Sequence, residues 1–447
     1  MNPGGAAAVL AALAVTWLTG KALTRTLARR VGFGEAIAWA GAAGLLFQAA
    51  LFAILAALRV DPGAGWLLAG DAAAIAASFV FRSRPPTSPP APALSPVPDP
   101  LALVLTAVAG FAWLVFLIAA VAEPMWSTDF LAIWGMKGKA MFLAGSLPGR
   151  LFQDPALYWS HREYPLLVPL CLASVARLAG AWNDQALAIV FPVIELWTLL
   201  LLGGFVRRRT GSSVCGAAAA ALAALCFPLY HPVNAGTAEI PFAFGAVLVS
   251  CAALDSVGGS RVAAGRLFLA ALFCAGAKQE GTLFAFVLAA ALVLASNRPA
   301  RATQWKSASL LVVVPAAQWL LLYCLRGSQT SRDFDFQLFG RSHWPELARR
   351  FESVLSRMLF KEGREAIVSL LGIGLFLLIT RKGFADLLLA VLAGQIFFYA
   401  VAFSLSSFDP MYAMDAAFPR LATTLFPVLA LILAARLPRP PVAQGAV

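Results

Sequence analysis

Charge is scarce in this 447-residue chain: Asp, Glu, Lys and Arg together make 13% of it, and histidine occurs only three times. A soluble chain of ordinary composition is about 25% charged and about 45–50% apolar. Here 60% of residues are hydrophobic and the mean hydropathy is +0.80. That much apolar surface exceeds what any soluble core can hide, which excludes a cytosolic enzyme, a disordered chain and a secreted disulfide scaffold. Paired-cysteine spacings are also missing. Cys171, Cys215, Cys226, Cys251, Cys274 and Cys324 lie in or beside apolar stretches and read as small buried hydrophobes rather than ligands or bridges. There is no Walker loop, no GxGxxG between a strand and a helix, no HExxH and no GxSxG. The net charge of +12 would suggest nucleic acid, but the basic stretches have no soluble fold through which to read it. In a membrane chain such an excess marks cytoplasmic turns facing anionic headgroups.

What is present in quantity is apolar sequence in runs. A transmembrane helix needs about 20 mainly apolar residues. Fourteen stretches qualify: 5–20, 35–59, 64–81, 101–122, 165–181, 185–206, 214–230, 241–256, 264–278, 281–297, 307–325, 365–380, 384–404 and 420–436. The first lacks a small-residue cleavage site followed by soluble chain and reads as a span, not a removable signal peptide. Segment 82–100, RSRPPTSPPAPALSPVPDP, is a proline-rich linker that cannot be helical. The expected organisation is N-terminal transmembrane helices over 1–81, a cytoplasmic linker over 82–100 and a catalytic transmembrane region over 101–447.

Basic clusters set the orientation. Lys21 with Arg25, Arg29 and Arg30, then Arg82 and Arg84, Arg207 to Arg209, Arg261 and Arg266, Arg298, Arg301 and Lys306, Arg381 and Lys382, and Arg436 and Arg439 mark cytoplasmic turns. If 165–181 and 185–206 both crossed, the triple arginine would face outside. Segment 165–181, with Pro165 and Pro169, is therefore expected to be re-entrant or interfacial. The expectation is an all-α polytopic bundle of about 13 spans, with outer-face loops and interfacial helices. The outer face then receives 123–164, 231–240, 326–364, 405–419 and the turn at Lys278–Glu280. All three histidines and most carboxylates fall there, which points to chemistry or binding on that side.

Asp129 lies just outside a span between Trp126 and Trp134, with Lys137 and Lys139 beyond. It reads either as a base for an acceptor hydroxyl or as a helix N-cap in the run Ser127-Thr128-Asp129, with the tryptophans an aromatic belt. The lysines read as phosphate ligands. His161, Arg162, Glu163 and Tyr164 precede Pro165, as a cleft lining or as a solvated rim. Glu239 precedes Ile240-Pro241, as an acid in the site or as a helix-start acid favoured by the dipole. Lys278 and Glu280 share a turn between two apolar runs, as a phosphate site or as a simple pair. Segment 343–361 repeats apolar residues at three- and four-residue steps, which predicts an amphipathic helix on the outer leaflet. Arg420 heads the last predicted span, either snorkelling or placed for a phosphate diester.

Taken in order, the acidic first outer loop, HREYPLLVPL, the basic RRRTG, AEIPFAF, AKQEG and RLATTLFPVLA resemble the GT-C superfamily of integral-membrane glycosyltransferases. The branch resembled is the bacterial one containing protein O-mannosyltransferases and aminoarabinose transferases. The resemblance covers roughly 101–436. It implies a GT-C-like fold in the bacterial inner membrane and a site facing the periplasm. It also implies transfer of a sugar from a polyprenyl-phosphate donor to a glycan, lipid or protein hydroxyl, with membrane lipids and no nucleic acid as further partners. Asp129 matches the catalytic aspartate of the first loop and Glu239 the acidic position of the second. Lys137, Lys278, Glu280 and Arg420 fall on the substrate and phosphate side, and His161 and Glu163 on the acceptor side. No metal ligand is assigned, and the chemistry is compatible with Mg²⁺ or Mn²⁺ or with no cofactor. The doubled acidic motif of strict protein mannosylation is absent, and no large C-terminal soluble domain of the oligosaccharyltransferase kind follows. The competing expectation is a transporter or flippase for a lipid-linked glycan, which would place ionisable groups such as Asp71 and Glu195 in mid-span and show an internal repeat. No clear inverted repeat is visible.

Overall fold

The structure, a computed structural model, describes residues 3–27, 31–80, 99–256, 261–294, 301–326, 335–360 and 384–436. Among them every regular element is a helix. In chain order these are α1 (Pro3–Leu23), α2 (Phe33–Ala57), α3 (Ala64–Val80), α4 (Pro100–Ala122), α5 (Gly135–Ala144), α6 (Arg150–Gln153), α7 (Leu167–Ala179), α8 (Asp184–Leu187), α9 (Val190–Thr210), α10 (Ser213–Ala224), α11 (Glu239–Ser256), α12 (Arg261–Ala277), α13 (Gln279–Leu294), α14 (Arg301–Arg326), α15 (Trp344–Phe360), α16 (Phe384–Ser404), α17 (Pro410–Thr423) and α18 (Phe426–Arg436). A π-helical turn, Phe130–Trp134, runs into α5.

Eight helices among the described residues are long and apolar enough to cross a membrane: Pro3–Leu23, Phe33–Ala57, Pro100–Ala122, Asp184–Thr210, Glu239–Ser256, Arg301–Leu325, Leu387–Ser404 and Pro410–Ala434. Five more are apolar but shorter. The protein is a helical, multi-pass membrane bundle. The predicted span 365–380 and nearly all of the proline-rich linker lie outside the described residues. Helix α7 has 13 residues, or about 20 Å of rise against a hydrocarbon core of about 30 Å, and it is buried along most of its length. The last span begins at Pro410, capped by Asp409 Oδ1 accepting from Met411 N at 2.7 Å. Arg420 therefore lies well inside that helix, and not at its head.

Without a hydrophobic force between helices in lipid, close backbone contact and interhelical hydrogen bonds hold a bundle together. Helices α1 and α2 meet at glycines: a Cβ on Gly20 would lie 1.9 Å from Ala40 O, and one on Gly44 2.1 Å from Thr16 O. Thr19 Oγ1 and Gln48 Nε2 both donate to Asp71 Oδ1, at 2.8 and 2.6 Å, tying α1 and α2 to α3. The N-terminal helices join the rest through Gly41, whose backbone faces the Trp197 indole of α9. Helix α11 is the innermost element, buried at almost every position. Five cysteines are buried and Cys324 is exposed, all unbridged.

Each end of α11 carries an acid. Near its C-terminus Asp255 meets Arg208 at 2.9 Å, Arg209 at 3.3 Å and Arg266 at 2.9 Å. Arg208 also grips Glu35 of α2 with Nε and Nη2, both at 2.8 Å. At 1.5 Å of rise per residue, Glu239 at the other end stands about 24 Å away.

The amphipathic helix predicted over 343–361 forms as α15, but protein covers its apolar face. Val354 and Met358 are buried, Phe351 meets Phe397 of α16 edge-on with centroids 5.8 Å apart, and Arg357 pairs with Asp415 of α17.

Candidate functional site

The site grows from the segment after α4. Ser127 Oγ accepts from Phe130 N at 3.2 Å, so serine caps the following π turn and Asp129 makes no cap bond. That frees the Asp129 carboxylate to face α17, where Arg420 Nη1 donates to its Oδ2 at 2.6 Å. Arg420 Nε stands 3.4 Å from Glu239 Oε1. The same Glu239 oxygen takes Lys278 Nζ at 3.1 Å, and Lys278 reaches Glu280 Oε1 at 3.2 Å. The result is one continuous chain, Asp129–Arg420–Glu239–Lys278–Glu280, drawn from four parts of the sequence.

Local structure explains the convergence. Lys278 and Glu280 sit on the tight turn between α12 and α13, where a Cβ on Gly281 would lie 1.8 Å from Cys274 O. Glu239 is the first residue of α11 and its side chain is fully buried. A buried carboxylate is tolerable only with cations at hand, and Lys278 and Arg420 supply them. The middle of the cluster is the most buried part, since Glu239 and Lys278 are closed off while Arg420 and Asp129 retain 34% and 25% of their side-chain surface and Glu280 less.

Two atoms inside the cluster make no hydrogen bond among the described residues: Arg420 Nε, whose approach to Glu239 is not aligned, and Glu239 Oε2. The neighbouring Thr237 hydroxyl donates to Asn234 O at 2.9 Å.

A second group adjoins the first. Gln279 Nε2 donates to Glu163 O at 3.1 Å, and His161 Nδ1 lies 3.4 Å from Glu163 Oε1. Tyr164 is stacked between His161, with centroids 4.6 Å apart, and Trp134, at 5.4 Å. It also lies within electrostatic reach of Arg420. Lys137 is fully buried and donates to His161 O at 2.6 Å, where His161 holds a left-handed φ of +50°. Burial pushes the Lys137 ammonium down to about 7, against the pull of Glu163.

Of the residues singled out in the sequence, Asp129, Glu239, Lys278, Glu280 and Arg420 share one cluster. His161, Glu163 and Lys137 form the group beside it, with the Lys137 amine engaged by backbone. The N-cap attributed to Asp129 belongs to Ser127. Trp126 is exposed as a belt residue would be, whereas Trp134 is buried against Tyr164. Tyr164, read with His161, Arg162 and Glu163 as a cleft lining or a solvated rim, belongs to this group, whereas Gln279 was not singled out; its place between two charges in KQE was the available signal.

Among the described residues no three His, Cys, Asp or Glu side chains gather as a metal site. The three acids of the cluster are interleaved with Arg420 and Lys278, which pair with them. Compared with known proteins, the chain matches no family model, no curated protein and no solved structure.

Proposed function

We propose that this protein is a membrane glycosyltransferase that moves a sugar from a polyprenyl-phosphate donor to a hydroxyl acceptor. One observation carries the reading: Asp129 and Arg420, 291 positions apart, meet Glu239, Lys278 and Glu280 at one end of a lipid-embedded bundle. In this reading Arg420 and Lys278 neutralise the donor phosphate, which makes polyprenyl phosphate a good leaving group. Asp129, the acid nearest solvent, accepts the proton of the acceptor hydroxyl. The acceptor oxygen then forms its bond to the anomeric carbon as the bond to the phosphate oxygen breaks, with inversion. In this reading the end of the bundle opposite the basic turns faces the periplasm of a bacterial inner membrane, and the chain makes about 13 spans.

The test incubates purified protein with a panel of radiolabelled polyprenyl-phosphate sugars and an acceptor mixture, and follows release of the carrier phosphate. Wild-type protein is expected to release carrier with at least one donor, and Asp129→Asn to insert normally and release none. Full release by Asp129→Asn sinks the mechanism.

A transporter of lipid-linked glycans is the second reading, favoured by the carboxylates buried within helices. Asp71 keeps one oxygen, and Glu195 both, without a hydrogen-bond partner among the described residues. It predicts movement of a fluorescent lipid-linked glycan across proteoliposomes with no cleavage of the carrier bond.

A further inference from the structure

We infer that Asp129 and the donor phosphate compete for Arg420, so that the base stays latched until the donor is in place. The inference rests on the glycosyltransferase reading and adds an order of binding to it.

Three observations converge on it. First, the candidate base is engaged: the carboxylate that must accept a proton takes the shortest ion pair of the cluster, 2.6 Å from Arg420 Nη1. A carboxylate held by an arginine is a poor base, because proton uptake must break a charge-assisted hydrogen bond. Secondly, the cluster holds three carboxylates (Asp129, Glu239, Glu280) against two cations (Lys278, Arg420). With Asp129 seated it carries one excess negative charge and repels a phosphate. With Asp129 detached the remaining four groups balance, and the Arg420 guanidinium edge is free for a phosphate oxygen. Thirdly, the fixed and movable parts are distinguishable by burial. Glu239 is sealed inside the bundle and held by both cations, while the Asp129 side chain keeps a quarter of its surface and, among the described residues, has Arg420 as its one ion-pair partner.

Glu239 is then the positioning residue that fixes Arg420 and Lys278, and Asp129 is the arm that swings. Arg420 Nη1, once Asp129 has left it, can donate to a phosphate oxygen. Donor binding replaces one anion on Arg420 by another and releases a carboxylate beside the phosphate. The acceptor proton then passes to Asp129, the new carbon–oxygen bond forms from the acceptor oxygen, and the electron pair of the broken bond leaves on the phosphate oxygen.

The test measures equilibrium binding of farnesyl phosphate, inorganic phosphate and farnesol to detergent-purified full-length protein. It compares wild type with Asp129→Asn, Asp129→Ser and Arg420→Gln. Removing one negative charge beside the phosphate site should tighten farnesyl phosphate binding roughly ten-fold, in both Asp129 variants, while transfer is lost. Arg420→Gln should abolish that binding, and farnesol should bind none of the proteins tightly. If inorganic phosphate binds as well as farnesyl phosphate, the ligand is a free anion and the lipid donor is excluded. If wild type binds farnesyl phosphate and neither Asp129 variant binds it more tightly, the latch is wrong and the glycosyltransferase reading stands. If no protein binds it, both fall.

Discussion

Helix α11 carries an acid at each end, and each acid meets an arginine, yet the two meetings differ. At Asp255, Arg208 spreads its guanidinium over two carboxylates from separate helices, with two parallel contacts to Glu35. Arg209 and Arg266 complete a group with three cations and two acids. Both carboxylates are nearly closed to solvent. At Glu239, Arg420 touches two carboxylates through single contacts, leaves Nε unbonded, and faces an acid that solvent can reach. In the first arrangement Arg208 bonds through Nε, Nη1 and Nη2, while Arg266 leaves Nε and Nη1 without a hydrogen bond among the described residues, and the group ties α2, α9, α11 and α12 together. The second leaves donors and acceptors for something else. The lesson is that an arginine's bonding saturation, more than its burial, separates a brace from a site.

The comparison breaks most visibly at Arg208. Arg208→Ala leaves Glu35 and Asp255 buried with too few cations and should cost about 3–5 kcal/mol, read as a fall in Tm in detergent. Loss of transfer at an unchanged Tm would make it a second site. Asp129→Asn should do the reverse. Transfer should fall about 100-fold or more, while stability changes by less than about 1 kcal/mol, since exposed ion pairs contribute little. A steep drop in Tm for this variant would place Asp129 among the braces.

Gly281→Ala sharpens the contrast, because its Cβ meets a backbone oxygen that cannot rotate away. The turn must move and carry Lys278 with it, at about 1–3 kcal/mol, with a fall in transfer larger than the fall in Tm explains. Gly44→Ala, an equally tight contact remote from the cluster, should lose Tm alone.

The remaining prediction concerns Lys137 and is read as a pH dependence. Between about 7 and its ordinary 10.5 the folded chain holds a neutral amine and the unfolded chain an ammonium. The unfolded state then binds the extra proton, so stability rises with pH across that window, by up to about 1.4 kcal/mol per pH unit. Lys137→Met should flatten the rise in Tm between about pH 7 and about pH 9. An unchanged slope would show that the amine is not neutralised by burial.

Much of this was legible in the sequence, and unevenly so. Helical runs are read directly from hydropathy, because lipid leaves the backbone few alternatives. Asp129, Glu239, Lys278 and Arg420 stood out because an ionisable residue beside an apolar run is costly without a purpose. Depth was not legible. Lys137 and Lys139 look alike in a ten-residue loop helix, yet one is sealed and the other exposed. Arg208 was read only as an orientation marker, since the basic rule for turns accounts for it without a partner. Glu35 and Asp255, acids at the basic end of the bundle, were the unexplained signal. The boundary at Pro410 was hidden because Asp415, Pro419 and Arg420 interrupt the apolar run, while the helix starts at the Asp409 cap.

The π turn at Phe130–Trp134 has one last consequence, for how this site came to exist. A π turn is an α-helix with one residue too many, retained in most proteins where function needs it. Tightening the same residues to regular α-helix would rotate Asp129 by roughly 100° relative to α5. The acid would swing off Arg420 with no change in composition, hydropathy or predicted topology. The turn therefore absorbs one residue while keeping Asp129 on Arg420, and a search based on fixed spacing would pass over relatives that lie one residue out of phase.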